Sequence, residues 1–206
     1  MRSVLVVNPK GGSGKTTVAT NLAGGLAARG EPVYIWDLDR QQSSLTWLGM
    51  RPAHVAAIAR LDQREGDGVA LAKGRWLVID SPAGFHGKVL SQNLKLADKV
   101  LVPVQPSVFD MAATAAFLQA LRDEKAIRRH KTFVGIVGVR VDPRTKAAAT
   151  LEAFLRQFDL PIVTYLRDTQ TYPNAAFNGL SIFDLPSYLS ERDLEQWEPI
   201  FKWIAD

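Results

Sequence analysis

The chain alternates between short runs of apolar residues and longer stretches in which apolar residues recur at helical spacing. The apolar runs predict strands at Ser3–Val7, Val33–Asp37, Trp76–Asp80, Lys99–Val104, Phe133–Val139 and Pro161–Val163. The stretches of helical period predict helices at Lys15–Ala28, Lys88–Leu96, Ala112–Lys125, Ala147–Gln157 and Asp193–Ala205. The segment Gly49–Gly74 shows no clear period, and the pattern leaves its structure open.

The predicted strands are nearly continuous in apolar residues, which is typical of strands buried on both faces of a parallel sheet. Strands that alternate with helices indicate right-handed crossover connections. We therefore predict an α/β fold with one doubly wound, mostly parallel sheet and helices on both faces. With 206 residues and no repeat, low-complexity segment or linker, residues 1–206 are expected to form a single domain.

The composition excludes several classes of site. The chain has no Cys, so disulfides, thiolate metal sites, iron–sulfur clusters and a cysteine nucleophile are ruled out. The three histidines, His54, His86 and His130, are scattered without the spacing of metal ligands. No apolar stretch approaches the length of a membrane span or a signal peptide core, so a cytoplasmic location is expected. The net charge of +4 is compatible with nucleic-acid binding but does not require it.

A glycine- and lysine-rich loop follows the first predicted strand and opens the first predicted helix. Its residues are Lys10, Gly11, Gly12, Ser13, Gly14, Lys15, Thr16 and Thr17. Glycines let backbone N–H groups wrap phosphate oxygens, and the helix N-terminus adds partial positive charge. Lys15 is expected to reach the β- and γ-phosphates, and the Thr16 hydroxyl is expected to complete a Mg²⁺ shell. The order of residues therefore predicts a nucleoside triphosphate site of the P-loop NTPase class.

The loop departs from the general phosphate-loop motif, because Pro9 replaces the first glycine and Lys10 adds a second lysine. The form K-G-G-x-G-K-T-T resembles the deviant Walker A motif of the ParA/MinD family of ATPases. It is most similar to small ParA-type (ParF-like) partition ATPases that lack an amino-terminal helix-turn-helix domain. The resemblance implies that Lys10 is a signature lysine that reaches the nucleotide of a second subunit. ATP would then lie between two protomers.

Two acidic segments follow at positions that the family also uses. Asp39 lies in a D-x-D-R-Q segment after the second strand, and the resemblance implies a switch I aspartate near Mg²⁺ and the attacking water. The alternative for Asp39 is an N-cap of a helix at Ser43–Gly49. Asp80 ends an apolar strand before S-P-A-G, as in a Walker B motif, and would hold a Mg²⁺-bound water. Gly84 would lie in switch II.

Later segments extend the resemblance over nearly the whole chain. Ala97–Ser107 is similar to the family's A-D-x-v-l-i-P-v-x-P-s block, with Asp110 in its usual place, and Leu166–Phe183 is similar to the last block. Where the family reads adenine through an Asn, this chain has Arg140. The final predicted helix is acidic before Pro199, which favours docking on the chain's own core over membrane binding.

The resemblance implies an ATP-dependent partitioning or positioning ATPase with ATP and Mg²⁺ as cofactors. The expected partners are a second copy of the chain when ATP is bound, nonspecific DNA, and a ParB-like or cargo-adaptor protein that stimulates hydrolysis, with no membrane. A nucleoid-associated location is expected. The candidate DNA contacts form a basic cluster of Arg122, Lys125, Arg128, Arg129, His130 and Lys131, extended by Arg140, Arg144, Lys146 and Arg156.

Two alternatives stay open on the residues alone. The first is an ATP-dependent biosynthetic ligase or synthetase of the same superfamily, which would show turnover that depends on a metabolite. The second is a nucleotide-gated, non-catalytic scaffold. The sequence does not identify the cargo, which can be a plasmid, a chromosome, a protein compartment or a receptor cluster.

Overall fold

A computed structural model describes residues 2–61, 74–84, 86–129 and 131–206. In these residues one parallel sheet is formed in the order β3-β2-β4-β1-β5-β6-β7. Its strands are β1 (Arg2–Val6), β2 (Val33–Asp37), β3 (Ala59–Arg60), β4 (Trp76–Asp80), β5 (Lys99–Val104), β6 (Phe133–Val141) and β7 (Ile162–Arg167). The predicted fold class, a doubly wound parallel sheet, is confirmed.

Helices cover both faces of the sheet. They are α1 (Lys15–Ala28), α2 (Ser43–Gly49), α3 (Gly87–Leu94), α4 (Val108–Asp123), α5 (Lys125–Arg128), α6 (Lys146–Leu155), α7 (Thr171–Ala176) and α8 (Ser187–Ala205), with a 3-10 helix at Ile182–Asp184. One apolar layer lies between the sheet and α1 and α8, and a second lies between the sheet and α3, α4 and α6. The parallel strands place every strand's carboxyl end at one edge of the sheet, where the connecting loops form a crevice.

The predicted boundaries of the last strand and the last helix of the chain are wrong. The last strand runs to Arg167 rather than ending at Val163, because its later residues pair with β6 and bond to α8. Helix α8 begins at Ser187 rather than Asp193, since its first turns carry too few apolar residues to reveal a helical period. The open segment Gly49–Gly74 contains the two-residue strand β3, and its residues 62–73 lie outside the described part of the chain.

The apolar face of α8 is directed into the core. Trp197 and Ile200 are fully buried, Phe201 and Ile204 nearly so, and the Trp197 indole N–H donates to the Tyr172 hydroxyl over 3.0 Å. The prediction that this helix docks on its own domain is confirmed. Among the described residues, no helix combines the length and apolar character that crossing a membrane requires.

Two glycines of α1 allow the carboxyl-terminal segment to pack directly on this helix. A Cβ at Gly24 would lie 2.3 Å from the Ser181 hydroxyl oxygen. A Cβ at Gly25 would lie 2.4 Å from the ring of Phe201 and 2.8 Å from that of Phe183. The two phenylalanine rings also pack edge to face at 5.4 Å, so neither can move aside freely. Helix α1 therefore has no space for a side chain on this face.

We expect Gly25→Ala to lower the free energy of unfolding by about 1–3 kcal/mol, as overpacked core substitutions do. The new methyl group would displace the buried ring of Phe201 and the half-buried ring of Phe183, and this cost exceeds the roughly 1 kcal/mol that alanine gains in a helix. Urea unfolding of the wild type and the variant measures the difference. Gly49→Ala is the control, because a Cβ there meets no atom within 4 Å. If Gly25→Ala and the wild type unfold at the same urea concentration, the two rings move aside without loss of stability and the prediction is wrong.

Candidate nucleotide-binding site

The predicted phosphate loop lies between β1 and α1, at the carboxyl edge of the central strand. Gly12 and Gly14 have positive φ angles of 76° and 90°, a backbone conformation that side chains disfavour. A Cβ at Gly14 would also touch Val139 of β6 at 3.4 Å. Because the first N–H groups of a helix have no partner within the helix, the start of α1 offers hydrogen-bond donors to an anion. The loop is built as the sequence predicts for binding phosphate.

Lys15 lies inside this loop. It is 7% exposed, and its ammonium donates to the Lys10 carbonyl over 2.8 Å and to the Ser13 hydroxyl over 3.4 Å. Burial lowers the pKa of Lys15 from its usual value, while the charges of Asp80 and Asp39 oppose that change. The ammonium therefore sits in the concavity of the loop, with local oxygens as partners that phosphate oxygens can replace.

Lys10 occupies a different place on the outer side of the loop. Its ammonium pairs with the carboxylate of Asp110 in the first turn of α4, with 2.6 Å between Nζ and Oδ2. The Lys10 side chain stays one-third exposed, whereas the Asp110 side chain is buried. Asn8 fixes the backbone here, because its side chain accepts from the Lys10 N–H and donates to the Pro103 carbonyl. Lys10 is thus held by its own chain, at a surface from which it can be released.

Asp80 lies at the end of β4, beside Asp37 at the end of β2. It is 1% exposed, and its carboxylate oxygens meet hydrogen-bond geometry with none of the described residues. Burial raises the pKa of Asp80 to about 7, an increase that the nearby Thr16 hydroxyl offsets only in part. A buried carboxylate without partners is costly unless a cation or a bound water satisfies it. Asp80 and Thr16 therefore fit the water shell of a magnesium ion.

Asp37 caps α2, a role that the sequence alternative gave to Asp39. One Asp37 oxygen accepts from the Ser44 N–H over 3.0 Å and from the Ser44 hydroxyl over 2.6 Å. The capping interpretation of Asp39 is therefore wrong. Asp39 is half-buried and accepts from the Gln41 N–H over 3.0 Å, within electrostatic reach of Lys15. Asp39 therefore lies near the phosphate loop, and its assignment to switch I stays a prediction.

Gly84 connects the segment after β4 to the phosphate loop. Its N–H donates to the Pro9 carbonyl over 2.7 Å, and its φ of 69° favours glycine. The Gln105 side-chain amide donates to the Gly12 carbonyl over 2.6 Å. Gly84 and Gln105 thus contact the loop from the segments that follow β4 and β5. A movement of the loop on binding phosphate would therefore change the hydrogen bonds of both residues.

A cavity of about 810 Å³ opens beside the loop and extends between α2 and α7. Thr17 and Trp47 line one side, and the segment from Leu166 to Gln170 lines the other. Arg140 lines the same cavity with its side chain exposed and a φ of 54°, which is strained for a residue other than glycine. The cavity volume is in the range of pockets that hold small molecules and cofactors. The cavity is therefore adequate for the nucleoside part of a nucleotide.

The basic residues predicted for DNA contact do not form one cluster. Arg140 lies near the carboxyl end of β6, and Arg144 and Lys146 follow this strand, so all three are at the carboxyl edge of the sheet, close to the nucleotide loop. The helix ends that carry Arg122, Lys125, Arg128, Arg129 and Lys131 lie at the opposite edge, and so does Arg156 at the end of α6. His130 lies outside the described residues. The expectation of a single extended cluster is wrong, because crossover connections send neighbouring sequence segments to opposite edges.

Sequence reasoning missed two supporting residues. Asn8 is fully buried and joins the loop to β5 and α4, through Pro103 and Thr114. Asp37 supports the segment that carries Asp39. The sequence signal for both residues was a polar side chain at or just after the end of an apolar strand. Spacing alone does not show whether such a side chain stabilises a neighbouring loop or contacts the nucleotide.

Comparison with known proteins also indicates a nucleotide-binding domain. The family model described as the CobQ/CobB/MinD/ParA nucleotide binding domain matches residues 4–182. The chain is 32% identical over 191 residues to "Maintenance of carboxysome distribution protein A" of Gloeobacter kilaueensis, covering 88% of this chain and 83% of that protein. It is 28% identical over 190 residues to "Chromosome-partitioning ATPase Soj" of Thermus thermophilus, covering 76% of each.

Among solved structures, the septum site-determining protein MinD of Pyrococcus horikoshii, complexed with Mg-ADP, superposes with a TM-score of 0.70. The match covers 98% of this chain and 96% of that chain at 18% identity, so it shows a shared fold. The resemblance and the fold predicted from the sequence are confirmed.

Proposed function

The chain belongs to the CobQ/CobB/MinD/ParA family of nucleotide-binding proteins, and on that premise we propose that it is a Mg²⁺-dependent ATPase that partitions or positions a cargo. The observation that carries the proposal is the separate placement of two lysines on one phosphate loop. Lys15 lies within the loop, whereas Lys10 lies on its outer side in an exchangeable ion pair with Asp110. A phosphate loop of the general kind contains only the lysine at the position of Lys15. The additional Lys10 therefore indicates a function outside the nucleotide site of its own protomer.

Within one protomer, the backbone of Gly11–Gly14 and the start of α1 hold the phosphates, together with Lys15, Ser13 and Thr17. Thr16, Asp39 and Asp80 would hold Mg²⁺ directly or through water. The ion neutralises charge on the phosphates when it is bound. Asp39 positions the attacking water, and the hydrolysis rate comes mostly from positioning and charge stabilisation. Arg140 lines the cavity beside the loop, where its guanidinium is available to stack on the adenine or to serve another contact.

Between protomers, Lys10 leaves Asp110 and contributes its charge to the nucleotide of the second copy. ATP thus closes a homodimer, much as an arginine finger completes a neighbouring site. The dimer binds DNA without sequence preference and releases it after a ParB-like or cargo-adaptor protein stimulates hydrolysis. The relatives' names concern carboxysome distribution and chromosome partitioning, and they support a cytoplasmic, nucleoid-associated role for this chain.

The proposal is tested by measuring DNA association and molecular mass of the purified chain without nucleotide, with ADP, with ATP and with a non-hydrolysable ATP analogue. We expect a dimer and salt-sensitive DNA binding with the triphosphates only. A monomer that ignores DNA in all four states would overturn the proposal. If its turnover then depends on a small metabolite, the biosynthetic ligase alternative is correct. A triphosphate-bound dimer that never hydrolyses ATP would instead favour the non-catalytic scaffold.

A further inference from the structure

The edge of the sheet at which the strands begin carries a row of cations, all of them exposed except the half-buried Lys99. In this parallel sheet the starts of β4, β1, β5 and β6 lie side by side, about 4.8 Å apart. Arg75 directly precedes β4, Arg2 opens β1 and Lys99 opens β5. Lys95 directly follows α3 and Lys131 precedes β6 at the same edge. The basic edge, as we name it, consists of Arg2, Arg75, Lys95, Lys99, Arg128, Arg129 and Lys131.

Aromatic rings hold three of these cations in place. The Arg2 guanidinium lies 5.3 Å from the ring centre of Trp76, and that of Arg75 lies 5.5 Å from the ring of Tyr34. The Lys99 ammonium lies 4.7 Å from the ring of Phe133 and 4.8 Å from the ring of Trp203. Cation–π contact restricts the long side chains without neutralising their charge. These cations therefore lose little further freedom when they bind an anion.

The acidic groups near this edge do not balance the cations. The Asp98 carboxylate accepts from the backbone N–H and the hydroxyl of Ser3, each over 2.8 Å. Glu124 accepts from the Ser91 hydroxyl over 2.7 Å. The other described acids at this end of the sheet lie on helices or before the outer strands; they are Glu31, Asp123, Asp159 and Asp206, with Glu198 and Glu152 paired to Arg29 and Arg156. The starts of β4, β1, β5 and β6 therefore carry an excess of positive charge.

We propose that the basic edge is the surface that binds the phosphate backbone of duplex DNA. The row from Arg75 to Lys131 crosses three strand spacings, roughly 14 Å, which is enough to meet more than one phosphate. No helix or ribbon projects from these strand starts into a groove among the described residues, so the contacts carry no base readout. This inference rests on the proposed function, because it names the DNA surface of that function.

The basic edge and the nucleotide loop lie at opposite ends of β1. The strand has five residues, so the two sites are roughly 16 Å apart along it. DNA on the edge therefore leaves the loop, Lys10 and the cavity free. In a dimer closed over ATP through the loops, the two edges face away from each other. Each dimer then engages two separate DNA segments, and ATP increases affinity for dense DNA by linking two weak contacts.

The experiment compares a variant with Arg2→Gln, Arg75→Gln and Lys131→Gln against the wild type, with the non-hydrolysable ATP analogue bound. Binding to a random-sequence duplex is measured over a salt series, with vesicles containing anionic lipid as a parallel arm. We expect about tenfold or greater loss of affinity. The slope of log K against log salt should become shallower by about 0.9 for each phosphate that the variant no longer neutralises. The matched variant carries Arg144→Gln, Lys146→Gln and Arg192→Gln, which remove the same charge at the other end of the molecule.

Retained affinity and slope in the matched variant, together with weaker binding by the edge variant, would support the proposal. Weaker binding by the matched variant alone would overturn it and place DNA at the nucleotide end, leaving the proposed function intact. A wild type that binds no DNA in any nucleotide state would overturn both. Binding to anionic vesicles but not to DNA would overturn both as well. ATP-dependent dimerisation of the edge variant, measured by mass, checks that its fold and nucleotide site are intact.

Discussion

Lys10→Ala is expected to lower the ATP hydrolysis rate by about 10³-fold, in line with the loss of a charge supplied from a neighbouring subunit. ATP affinity should change only a few-fold, since Lys15 and the loop glycines stay in place. The physical reason is that Lys10 stabilises charge that develops on the phosphates of the second protomer. Steady-state turnover measures the rate, and binding of a fluorescent ATP analogue measures affinity separately.

A mixing experiment separates action between protomers from action within one. The Lys10→Ala protomer keeps Asp39, and an Asp39→Ala protomer keeps Lys10. Each variant alone should be inactive, but in a mixed dimer the site of the Lys10→Ala protomer receives Lys10 from its partner. We expect activity to reappear on mixing. Mixtures that stay inactive, although they dimerise, would show that Lys10 serves the nucleotide of its own chain.

Loss of the ion pair needs its own control, because Lys10→Ala leaves the buried Asp110 carboxylate unpaired. Asp110→Asn removes the charge of the partner while keeping Lys10, so this variant should still hydrolyse ATP. The double variant with Lys10→Ala should remain inactive even though no charge is left unpaired. If the double variant regains activity, the defect of Lys10→Ala comes from the buried carboxylate and the assigned role of Lys10 is wrong.

Asp80→Asn is expected to raise the Mg²⁺ concentration for half-maximal hydrolysis by about 10- to 100-fold, as the removal of outer ligands of metal sites does. The same substitution should leave the metal-free protein as stable as the wild type or more stable. The reason is that it replaces a buried carboxyl that has no hydrogen-bond partner among the described residues. Mg²⁺ titrations of turnover and thermal unfolding without Mg²⁺ measure the two effects.

Asp80→Asn is expected to weaken the response to Mg²⁺ without lowering the stability of the metal-free protein, and this combination makes the prediction specific. A merely structural role for Asp80 would lower stability and activity together, without changing the Mg²⁺ requirement. Asp123→Asn on the exposed surface of α4 is the matched control, because it removes the same charge far from the loop. It should change neither the Mg²⁺ requirement nor the unfolding temperature.

The sequence predicted the central part of the fold with little error, because there local signals and packing agree. Helix α1 has the predicted bounds, since a phosphate loop fixes its start and Gly30 follows its end. The strands β2, β4 and β5 also have the predicted bounds, because burial on both faces leaves only apolar residues between polar ends. The candidate site residues were found together for the same reason, since strand ends converge at one edge; they are Lys10, Lys15, Thr16, Asp39 and Asp80.

What the sequence could not predict depends on contacts between distant segments. Lys10 and Asp110 are 100 positions apart, so their ion pair has no local signal. Asp37 and Asp39 are equivalent in spacing, and only the position of Ser44 shows which one supports α2. The basic residues were grouped because they are close in sequence. Strand β6 lies between the two groups and carries the chain from one edge of the sheet to the other, so the groups are at opposite edges.

The close contact at Gly24 and Gly25 has a consequence for how the domain can evolve. The helix that begins at the phosphate loop touches Ser181, Phe183 and Phe201 without any intervening side chain. The segment from Ser181 to the end of the chain is therefore not a module that recombination can exchange for another tail. A new carboxyl-terminal segment would have to reproduce the same surface against α1, or the helix that presents the loop would lose its support. The two ends of the chain are thus constrained to change together.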